Sequence, residues 1–355
     1  MDAIDAAAVE LTPDGTLRHT VCADRFPLPE SLAGRLRGVG PASSLEEVAE
    51  LDAVLGDRFA EAASRLMERC PQPPVAIGSH GQTVWHAPDR RPAATVQIGD
   101  PNRIAARTRT DTVADFRRRD LAEGGQGAPL APVFHHGCLG SADEDRAVLN
   151  LGGIANLSLL PSGGAPWGFD TGPANVLLDR WHRRWRGGPC DQDGLWAAGG
   201  TVRPELLQRL LQHPYFAASA PKSTGPEAFH LDWLDPLVPN GVDPQDVQAT
   251  LAELTAQTVA DGLYASGLKG PARLLVCGGG VHNADLMERL RRCLAPLPVL
   301  GTDTEGIDPD YVEAIGFAWL AWARMHDLPT GVPRVTGARE ASCLGAIYRG
   351  APGAG

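Results

Sequence analysis

The chain has 355 residues, a length that is typical of two packed domains. Apolar residues make up 43% and charged residues 21%, as in a globular protein without long disordered tracts. The formal net charge of −11 argues against a protein that binds nucleic acid or an anionic membrane surface. A phosphorylated ligand is compatible with this charge, because it needs only local positive charge or a bound metal.

The seven cysteines are scattered and no two are spaced as CxxC, which argues against a zinc site and is typical of reduced cytosolic thiols. The N-terminal segment MDAIDAAAVEL has no basic flank and no cleavage pattern, so it predicts no signal peptide. The longest strongly apolar run, Ala314 to Ala323, is too short to span a bilayer and predicts a buried helix. We therefore expect a cytoplasmic protein that does not insert into a membrane.

Helical periodicity alternates with short apolar runs that end in glycine, which predicts an α/β fold. Residues 45–69 predict an amphipathic helix, and residues 73–83 predict a strand that runs into a polar loop. Residues 109–133 are rich in Asp, Arg, Gly and Pro and are predicted to form a loop.

Two apolar runs within residues 147–161 predict a tight β-hairpin at a glycine pair. The next segment predicts a strand to Phe169, a turn, and a helix with Pro173 in its first turn. Further on, residues 246–266 predict a long helix, and residues 272–294 predict a strand, a glycine turn and a second helix.

Three glycine-rich turns follow apolar strands, which lets backbone N–H groups approach an anion without interference from a Cβ atom. A helix N-terminus behind such a turn adds a favourable dipole, so the pattern is typical of a nucleotide site. None of the turns matches a P-loop or a GxGxxG motif, and any one of them alone is equally typical of an ordinary turn. The glycines concerned are Gly152, Gly153, Gly172, Gly278, Gly279 and Gly280.

Asp170 is predicted at the end of a strand, just before a helix N-terminus. A carboxylate there can take a proton from an attacking hydroxyl or water, or hold a metal through water. The alternative is a helix-capping or turn aspartate. Thr171 and Asn175 are polar neighbours suited to orienting a phosphate or a metal.

Several more polar residues in loops are candidates for ligand binding. His80 lies in the loop sequence SHGQT, although alone it is more typical of a structural or surface histidine. Glu313 is an acid on an apolar helix, so it needs a partner, either a substrate hydroxyl or a structural arginine. The segment PKSTG at residues 221–225 is either a phosphate contact or a turn.

An arginine cluster, Arg117 to Arg119, follows Asp115. Arginine can bind a carboxylate or a phosphate through two parallel hydrogen bonds. The alternative is a solvated cluster paired with Asp115 and Asp120.

Taken together, these segments resemble the anhydro-N-acetylmuramic acid kinase family over residues 1–348, in sequence and in order. The resemblance is carried by SHGQTVWHAP, QIGDP, VADFRRRDLAEGGQGAPLAP, LNLGGIANLS, GFDTGPANVLLD, PKSTG, CGGGVHN and TGARE with LGAIY. The family is related to the actin, hexokinase and heat-shock ATPase superfamily, which implies two lobes with ATP in the cleft. The N-terminal lobe is then expected over residues 1–133, completed by helices of about 310–355, and the nucleotide-binding lobe over residues 134–309.

The resemblance implies a sugar kinase of peptidoglycan recycling that uses ATP and Mg²⁺. Water opens the anhydro bridge of 1,6-anhydro-N-acetylmuramic acid, and the freed O6 takes the γ-phosphoryl group. Asp170 matches the family's catalytic base, with Mg²⁺ held through water nearby and no metal ligand assigned. The family also implies a homodimer, and no nucleic-acid or membrane partner.

The matching positions define two groups of binding residues. The ATP group is Asp2, Gly152, Gly153, Asn156, Thr171, Gly172, Asn175, Gly278, Gly279, Gly280 and Asn283. The substrate group is His80, Gln82, Arg117, Arg118, Arg119 and Glu313. The lactyl carboxylate of the sugar gives one of the three arginines a physical reason to be there, and the sequence leaves open which one.

The chain departs from the family at its start. Members open with a strand and a turn like GTS(L/M)DGID, whereas residues 1–5 match only the end of that turn and Ala3 replaces its last glycine. One interpretation is a start codon assigned too far downstream, and the second is a real truncation that gives a weak or inactive kinase. Two further hypotheses for the activity are a kinase that acts on a related anhydro-sugar such as levoglucosan, and a non-catalytic sensor.

Overall fold

The structure, a computed structural model, describes residues 3–220 and 222–350 of the chain. The strands, in chain order, are β1 (Ala3–Leu11), β2 (Leu17–Pro27), β3 (Ala76–Gly78), β4 (Gln82–Ala87), β5 (Ala94–Ile98), β6 (Asp111–Ala114), β7 (Arg146–Leu151), β8 (Ile154–Leu160), β9 (Trp167–Pro173), β10 (Arg273–Cys277), β11 (Val299–Gly301) and β12 (Ala346–Tyr348).

The α-helices are α1 (Glu30–Gly38), α2 (Leu45–Met67), α3 (Pro101–Thr108), α4 (Arg118–Ala122), α5 (Ala131–Leu139), α6 (Asn175–Arg186), α7 (Leu195–Ala198), α8 (Pro204–Leu211), α9 (Pro214–Ala217), α10 (Leu231–Leu234), α11 (Pro244–Ala265), α12 (Ala284–Leu294), α13 (Val312–Met325) and α14 (Pro333–Thr336). Short 3₁₀ turns cover Gln192–Gly194, Asp235–Leu237, Gly279–His282 and Thr302–Glu305. The predicted α/β fold is confirmed. None of the helices in the described ranges is both long and apolar enough to cross a membrane.

The chain divides into two compact units, Met1–Leu139 with Tyr311–Gly355, and Gly140–Asp310. The boundary predicted after residue 133 falls within helix α5. The structure keeps α5 whole in the first unit, because this helix packs against α13.

In the first unit, β1 and β2 form an antiparallel pair, β4 and β5 form another, and β12, β6 and β3 form a three-stranded sheet in that order. Helix α13 packs against both β1 and β3. Its Phe317 ring lies 5.4 Å from the ring of Phe116 and 6.0 Å from that of Phe134, measured between centroids. This aromatic cluster anchors the helix that carries Glu313.

The second unit contains a five-stranded mixed sheet in the order β11-β10-β7-β8-β9. Strands β11, β10 and β7 are parallel, whereas β7, β8 and β9 form an antiparallel meander. Buried apolar side chains of this sheet and of α6, α11 and α12 form one core. The ends of β7 and β10 therefore lie side by side, and so do β8 and β9.

Most predicted elements are present close to their predicted bounds. The amphipathic helix predicted at residues 45–69 is α2, capped by Ser44, whose hydroxyl accepts a hydrogen bond from the Glu47 N–H at 3.1 Å. The hairpin within residues 147–161 is β7 and β8, and the helix at residues 246–266 is α11. The strand, glycine turn and helix at residues 272–294 are β10, the turn and α12.

In the first unit, one prediction about local structure was wrong and another was incomplete. Residues 109–133 are not a continuous loop, because they include β6 and α4 and enter α5. The segment of about 310–355, expected to supply helices, contains α13 and α14 but also strand β12, which pairs antiparallel with β6; residues 351–355 lie outside the described residues. In both regions a short strand completes the β12-β6-β3 sheet, and strands of three or four residues leave little periodicity in the sequence.

Gly78 marks a close approach between β3 and α13. A Cβ atom at this position would lie 2.1 Å from the backbone oxygen of Phe317. We expect Gly78→Ala to lower the free energy of unfolding by about 1–3 kcal/mol or more, because the helix must shift away from the strand. Urea denaturation followed by tryptophan fluorescence measures the change.

Gly34→Ala is the matched control, because Gly34 lies inside α1 and an added Cβ atom would meet nothing within 4 Å. It is expected to stabilise the protein by about 0.4–1 kcal/mol. Equal effects of the two substitutions would contradict the close approach of β3 and α13.

Candidate active site

Asp170 lies inside strand β9, which continues to Pro173. The predicted turn after Phe169 and the predicted place of Pro173 in the first helical turn are therefore wrong. Pairing with β8 extends the strand to Pro173, and α6 begins at Asn175. The register shifts between Ala155 and Asn156, so that Ala155 opposes Gly172 and Asn156 opposes Asp170. Such a bulge re-aims side chains, and here the Asn156 Nδ2 donates a hydrogen bond to Asp170 Oδ1 at 2.7 Å.

Three further residues, Tyr215, Lys222 and Thr224, hold Asp170 from the other side. The Thr224 N–H donates to Asp170 Oδ2 at 2.9 Å, and the Asp170 N–H donates to the Lys222 carbonyl at 3.1 Å. The Tyr215 hydroxyl donates to the Asp170 carbonyl at 2.6 Å. Backbone and carboxylate of Asp170 are thus both fixed.

Burial raises the pKa of Asp170 above the ordinary aspartate value, while the hydrogen bonds from Asn156 and Thr224 act in the opposite direction. A raised pKa makes the carboxylate a stronger base than an exposed aspartate. The environment therefore suits general-base chemistry.

Residues 222–225 of the PKSTG segment lie beside Asp170 without regular secondary structure, and Pro221 lies outside the described residues. The Lys222 ammonium donates to the carbonyls of Tyr215 and Phe216 at 3.1 and 3.4 Å, and lies 4.7 Å from the centroid of the Tyr215 ring. The positive charge of Lys222 therefore interacts with carbonyl groups and an aromatic ring of neighbouring residues. Sequence reasoning missed the hydrogen bonds from Tyr215 and Thr224, because both depend on a contact across about 50 residues.

The Gly152-Gly153 turn lies against the start of α6. The Gly152 carbonyl accepts from the Asn175 N–H at 3.1 Å, and the Gly153 carbonyl accepts from the N–H groups of Ala174 and Val176 at 3.0 Å. The helix N-terminus therefore offers fewer free N–H groups to an anion than the sequence predicted.

The Gly278–Gly280 turn packs against the end of β7. Gly278 has φ of +80°, and a Cβ atom there would lie 2.3 Å from Asn150 Oδ1. At Gly279, in contrast, an added Cβ would meet nothing within 4 Å, so this residue borders open space. Asn283 caps α12, its Oδ1 accepting from the Leu286 N–H at 2.9 Å.

A pocket of about 220 Å³ opens at this turn. Its floor comes from one face of α6 and its walls from the loop before α7 and the start of α12. The lining residues are Asn175, Leu178, Asp179, Cys190, Asp191, Gln192, Asp193, Gly279, His282 and Asn283. Of the predicted nucleotide residues, it brings Asn175, Gly279 and Asn283 together.

Asp179 is the acid of this pocket with no hydrogen-bond partner among the described residues. Burial raises its pKa to about 6, opposed by the charges of Arg183 and His182. Asp191 differs, because its carboxylate accepts from the N–H groups of Trp196 and Ala197 at 2.9 and 2.8 Å. Asp179 is therefore the carboxylate that is available to a ligand, and the sequence analysis did not single it out.

Two predicted nucleotide residues have side chains engaged within the protein. Thr171 is buried, and its hydroxyl donates to the Ala155 carbonyl at 3.4 Å. The Asn175 Nδ2 donates to the Leu151 carbonyl at 3.0 Å, which ties α6 to β7. Asp2, also predicted to contact ATP, lies outside the described residues.

In the first unit, His80 and Arg117 form a direct pair. The Nε and Nη2 atoms of Arg117 lie 3.1 and 2.9 Å from His80 Nε2, and Nη1 donates to the Gly127 carbonyl at 2.8 Å. Burial and the Arg117 charge lower the pKa of His80 to about 3, so its imidazole is neutral and Nε2 accepts.

The three arginines of the predicted cluster differ in environment. Arg118 and Arg119 are exposed and pair with Asp115 at 3.6 Å and Glu123 at 2.9 Å. Arg117 is half-buried, and no described carboxylate forms an ion pair with it; Glu313 acts on it only at longer range. The solvated-cluster interpretation therefore describes Arg118 and Arg119, whereas Arg117 is available to an anionic ligand.

Asp120 organises the loop that holds Arg117, although the sequence suggested a solvated partner for the arginines. It is fully buried, and its Oδ2 accepts from the Gly127 N–H at 2.7 Å. Its Oδ1 accepts from the Thr336 hydroxyl at 2.7 Å. Asp120 thereby fixes the Gly127 carbonyl that receives Arg117.

Glu313 and Phe317 lie one turn apart on α13. The Phe317 ring lies 4.7 Å from the His80 ring, between centroids, and so connects the helix to the His80–Arg117 pair. The Glu313 side chain is exposed to solvent, yet the desolvation caused by the surrounding protein raises its pKa. The positive charge of Arg117 lowers this pKa, and the negative charge of Asp5 raises it further. Gln82, the remaining predicted substrate residue, lies in β4 and its Nε2 donates to the Thr83 carbonyl at 3.1 Å.

The second unit thus combines a fixed, half-buried carboxylate at Asp170 with a polar pocket in an α/β fold. The chain belongs to the family described as anhydro-N-acetylmuramic acid kinase, whose model matches residues 1–350. The family predicted from the sequence motifs is therefore confirmed.

Solved structures show more distant similarity. The activator of the 2-hydroxyisocaproyl-CoA dehydratase from Clostridium difficile is 11% identical, with a TM-score of 0.44 over 91% of this chain and 96% of that one. A ROK family glucokinase from Streptomyces griseus is 15% identical, with a TM-score of 0.39 over 90% and 98%. The ROK hexokinase from Thermus thermophilus is 16% identical, with a TM-score of 0.36 over 91% and 100%.

Proposed function

We propose that the protein uses ATP and water to convert 1,6-anhydro-N-acetylmuramic acid into N-acetylmuramic acid 6-phosphate. The observation that carries this proposal is the environment of Asp170, whose carboxylate is held by Asn156 and Thr224 and whose pKa is raised by burial. Membership of the family supplies the substrate.

In the proposed reaction, a water oxygen forms a bond to the anomeric carbon and gives one proton to Asp170. The bond between the anomeric carbon and O6 breaks, and O6 takes the γ-phosphoryl group while ADP leaves. Atoms and charge balance once Asp170 releases its proton to solvent. The protein contributes by positioning the water and by fixing the base.

Mg²⁺ neutralises phosphate charge when it is bound. No group of three or more His, Cys, Asp or Glu side chains in residues 3–220 and 222–350 is arranged to hold a metal. Mg²⁺ keeps several waters and uses few carboxylates when phosphates share its coordination. A single carboxylate such as Asp170 fits a Mg²⁺ held through water.

We assign the nucleoside of ATP to the pocket beside α6. It is lined by polar groups and by Gly279, where a larger residue would occupy open space. The Asp179 carboxylate, which has no hydrogen-bond partner in the described part of the chain, is suited to accept hydrogen bonds from hydroxyl groups of the nucleoside. The acidic lining is unsuited to phosphates, which we place toward the Gly152-Gly153 turn.

We assign the sugar carboxylate to Arg117. This arginine is half-buried, is fixed by His80 and Gly127, and forms no ion pair with the described residues. The Glu313 carboxyl, on the helix that contacts His80 through Phe317, is suited to a sugar hydroxyl. A carboxylate partner for Arg117 favours anhydro-N-acetylmuramic acid over levoglucosan, which has none.

A direct test incubates the purified protein with ATP, Mg²⁺ and the anhydro-sugar in H₂¹⁸O and analyses the product by mass spectrometry. We expect one ¹⁸O at the anomeric hydroxyl and one phosphate on O6. A product without phosphate, or phosphate transfer without opening of the ring, would overturn the proposal.

The proposal also includes a role in peptidoglycan recycling, a location in the cytoplasm and a homodimeric assembly.

Asp179→Asn is expected to raise the KM for ATP about tenfold with little change in kcat, since a hydrogen bond to a charged group contributes about 1.5 kcal/mol or more. In the unsubstituted protein, ATP affinity should fall as pH drops through about 6, where the Asp179 carboxylate takes up a proton. The variant should lack this dependence. Initial rates between pH 5 and 8 measure both effects.

Asp193→Asn is the matched control, because Asp193 lines the same pocket but is exposed. It should leave the KM for ATP within about twofold, as is usual for weakly interacting exposed charges. If both variants raise the KM equally, general negative charge in the pocket, and not Asp179, determines ATP binding.

A further inference from the structure

Three polar residues form a row across adjacent strands of the second unit. Asn150 on β7 opposes Asn156 on β8, and Asn156 opposes Asp170 on β9. All three are partly exposed, whereas their neighbours Leu149, Leu157 and Phe169 are buried. The row therefore lies on one face of the sheet with Asn156 at its centre.

Of the two polar atoms in the Asn156 side chain, one has a hydrogen-bond partner among the described residues and the other has none. Its Nδ2 donates to Asp170 Oδ1, which fixes the orientation of the amide group. Its Oδ1 is shielded from solvent and has no hydrogen-bond partner among the described residues. A buried acceptor without a donor is costly, so this atom is expected to have a partner in the working protein.

The missing partner must be a hydrogen-bond donor. Phosphate oxygens of ATP are acceptors, so they cannot satisfy Asn156 Oδ1, although sequence analysis grouped Asn156 with the ATP residues. Since Asn156 Oδ1 is shielded from bulk solvent, its donor must be enclosed in the site, and a single enclosed water can donate one O–H group to Asn156 Oδ1 and one to the Asp170 carboxylate. Both donors would then point at the protein, leaving the water lone pair free for an electrophile.

We propose that Asn156 is a positioning residue that orients the nucleophilic water of the reaction together with Asp170. This inference rests on the proposed function. The proton that water gives up passes to Asp170, as in that reaction, while the hydrogen bond to Asn156 Oδ1 is kept. The Thr224 N–H holds the opposite carboxylate oxygen, so Asp170 cannot rotate away from this arrangement.

The experiment compares Asn156→Ala and Asn156→Asp with the unsubstituted protein. Asn156→Ala should lower kcat about 10²-fold, the usual cost of a misplaced reacting group, with the KM for sugar and the dissociation constant for ATP within about threefold. Asn156→Asp places a second carboxylate beside Asp170. Because like charges disfavour ionisation, the acid limb of its kcat profile should move to higher pH.

Asn240→Ala is the matched control, since Asn240 is exposed and belongs to the same unit. It should keep full activity. Melting temperatures of all variants distinguish loss of function from loss of fold, and Asn156→Asp, which preserves side-chain volume, remains informative if the alanine variant unfolds.

Two results would overturn the inference. One is a kcat of Asn156→Ala within about threefold of the unsubstituted value, because a positioning role requires a larger loss. The second is a tenfold weaker affinity for ATP with kcat retained at saturating ATP, which would make Asn156 a nucleotide-binding residue. The unsubstituted protein tests the proposed function separately: if it forms no sugar phosphate, that proposal fails before the Asn156 variants are compared.

Discussion

Asp170→Asn is expected to lower kcat for sugar phosphorylation by about 10²–10⁴-fold, the usual contribution of a general base. The affinity for ATP should stay within about threefold, since the nucleoside pocket is built from α6 and the Gly279 turn and does not include Asp170. Steady-state rates and equilibrium binding of ATP, measured on the same preparation, separate these two quantities.

The substitution should leave the fold intact, because the local hydrogen bonds can be rearranged. An amide accepts through one atom and donates through the other, so the new side chain can accept from the Thr224 N–H and donate toward Asn156. If Asn156 turns its amide over, its Oδ1 becomes the acceptor, and that atom is otherwise unsatisfied. An unchanged melting temperature is therefore expected.

The pH profile adds a second criterion. Since burial raises the pKa of Asp170, the acid limb of kcat/KM should lie above the ordinary pKa of an aspartate, and activity should fall as pH drops through it. The residual activity of Asp170→Asn should lack this limb. Asp261→Asn, an exposed position on α11, serves as the control and should retain full activity. Turnover of Asp170→Asn above about one per cent would count against the base role.

The sequence predicted best those parts of the molecule whose signals are local. The amphipathic helix α2, the hairpin at Gly152 and Gly153, and the strand, glycine turn and helix from β10 to α12 all follow from neighbouring residues. The family motifs added the candidate base, Asp170. These features need only propensity and periodicity within about ten residues.

Features that depend on distant contacts could not be predicted. The partners of Asp170 at Tyr215 and Thr224 are about 50 residues away, and the bulge that extends β9 depends on its pairing with β8. Asp120 looked like one more charge in an arginine-rich loop, yet it is buried because the Thr336 hydroxyl reaches it from the far end of the chain. Periodicity carries no information about such pairs.

The arginine cluster shows the same limit in one tripeptide. Sequence chemistry is identical at its three positions, so no local signal could separate a ligand-binding arginine from a surface one. The position of each arginine relative to the start of α4 distinguishes the three. Arg117 is the residue before the helix, whereas Arg118 and Arg119 lie in its first turn and are exposed. Because of this difference, the prediction that one of three arginines binds the sugar carboxylate becomes a prediction about Arg117.

Arg117→Ala is expected to lower kcat/KM for anhydro-N-acetylmuramic acid by about 10–150-fold, the equivalent of about 1.5–3 kcal/mol for hydrogen bonds to a charged group. The loss for levoglucosan should be much smaller, because that sugar has no carboxylate to bind. Competition between the two sugars at fixed ATP measures the change in preference directly. Equal losses for both sugars would show that Arg117 supports the fold of the site and does not bind a carboxylate.

Three further substitutions sharpen the result. Arg118→Ala and Arg119→Ala should each change kcat/KM by less than about threefold, because exposed ion pairs contribute little. Arg117→Lys keeps the charge but not the planar fork of donors, so it cannot bridge His80, Gly127 and a ligand at once. It should therefore recover only part of the loss. Full recovery by lysine would mean that binding of the sugar needs only a positive charge at this position. The pairing of Arg117 with His80 would then not be needed to orient the sugar.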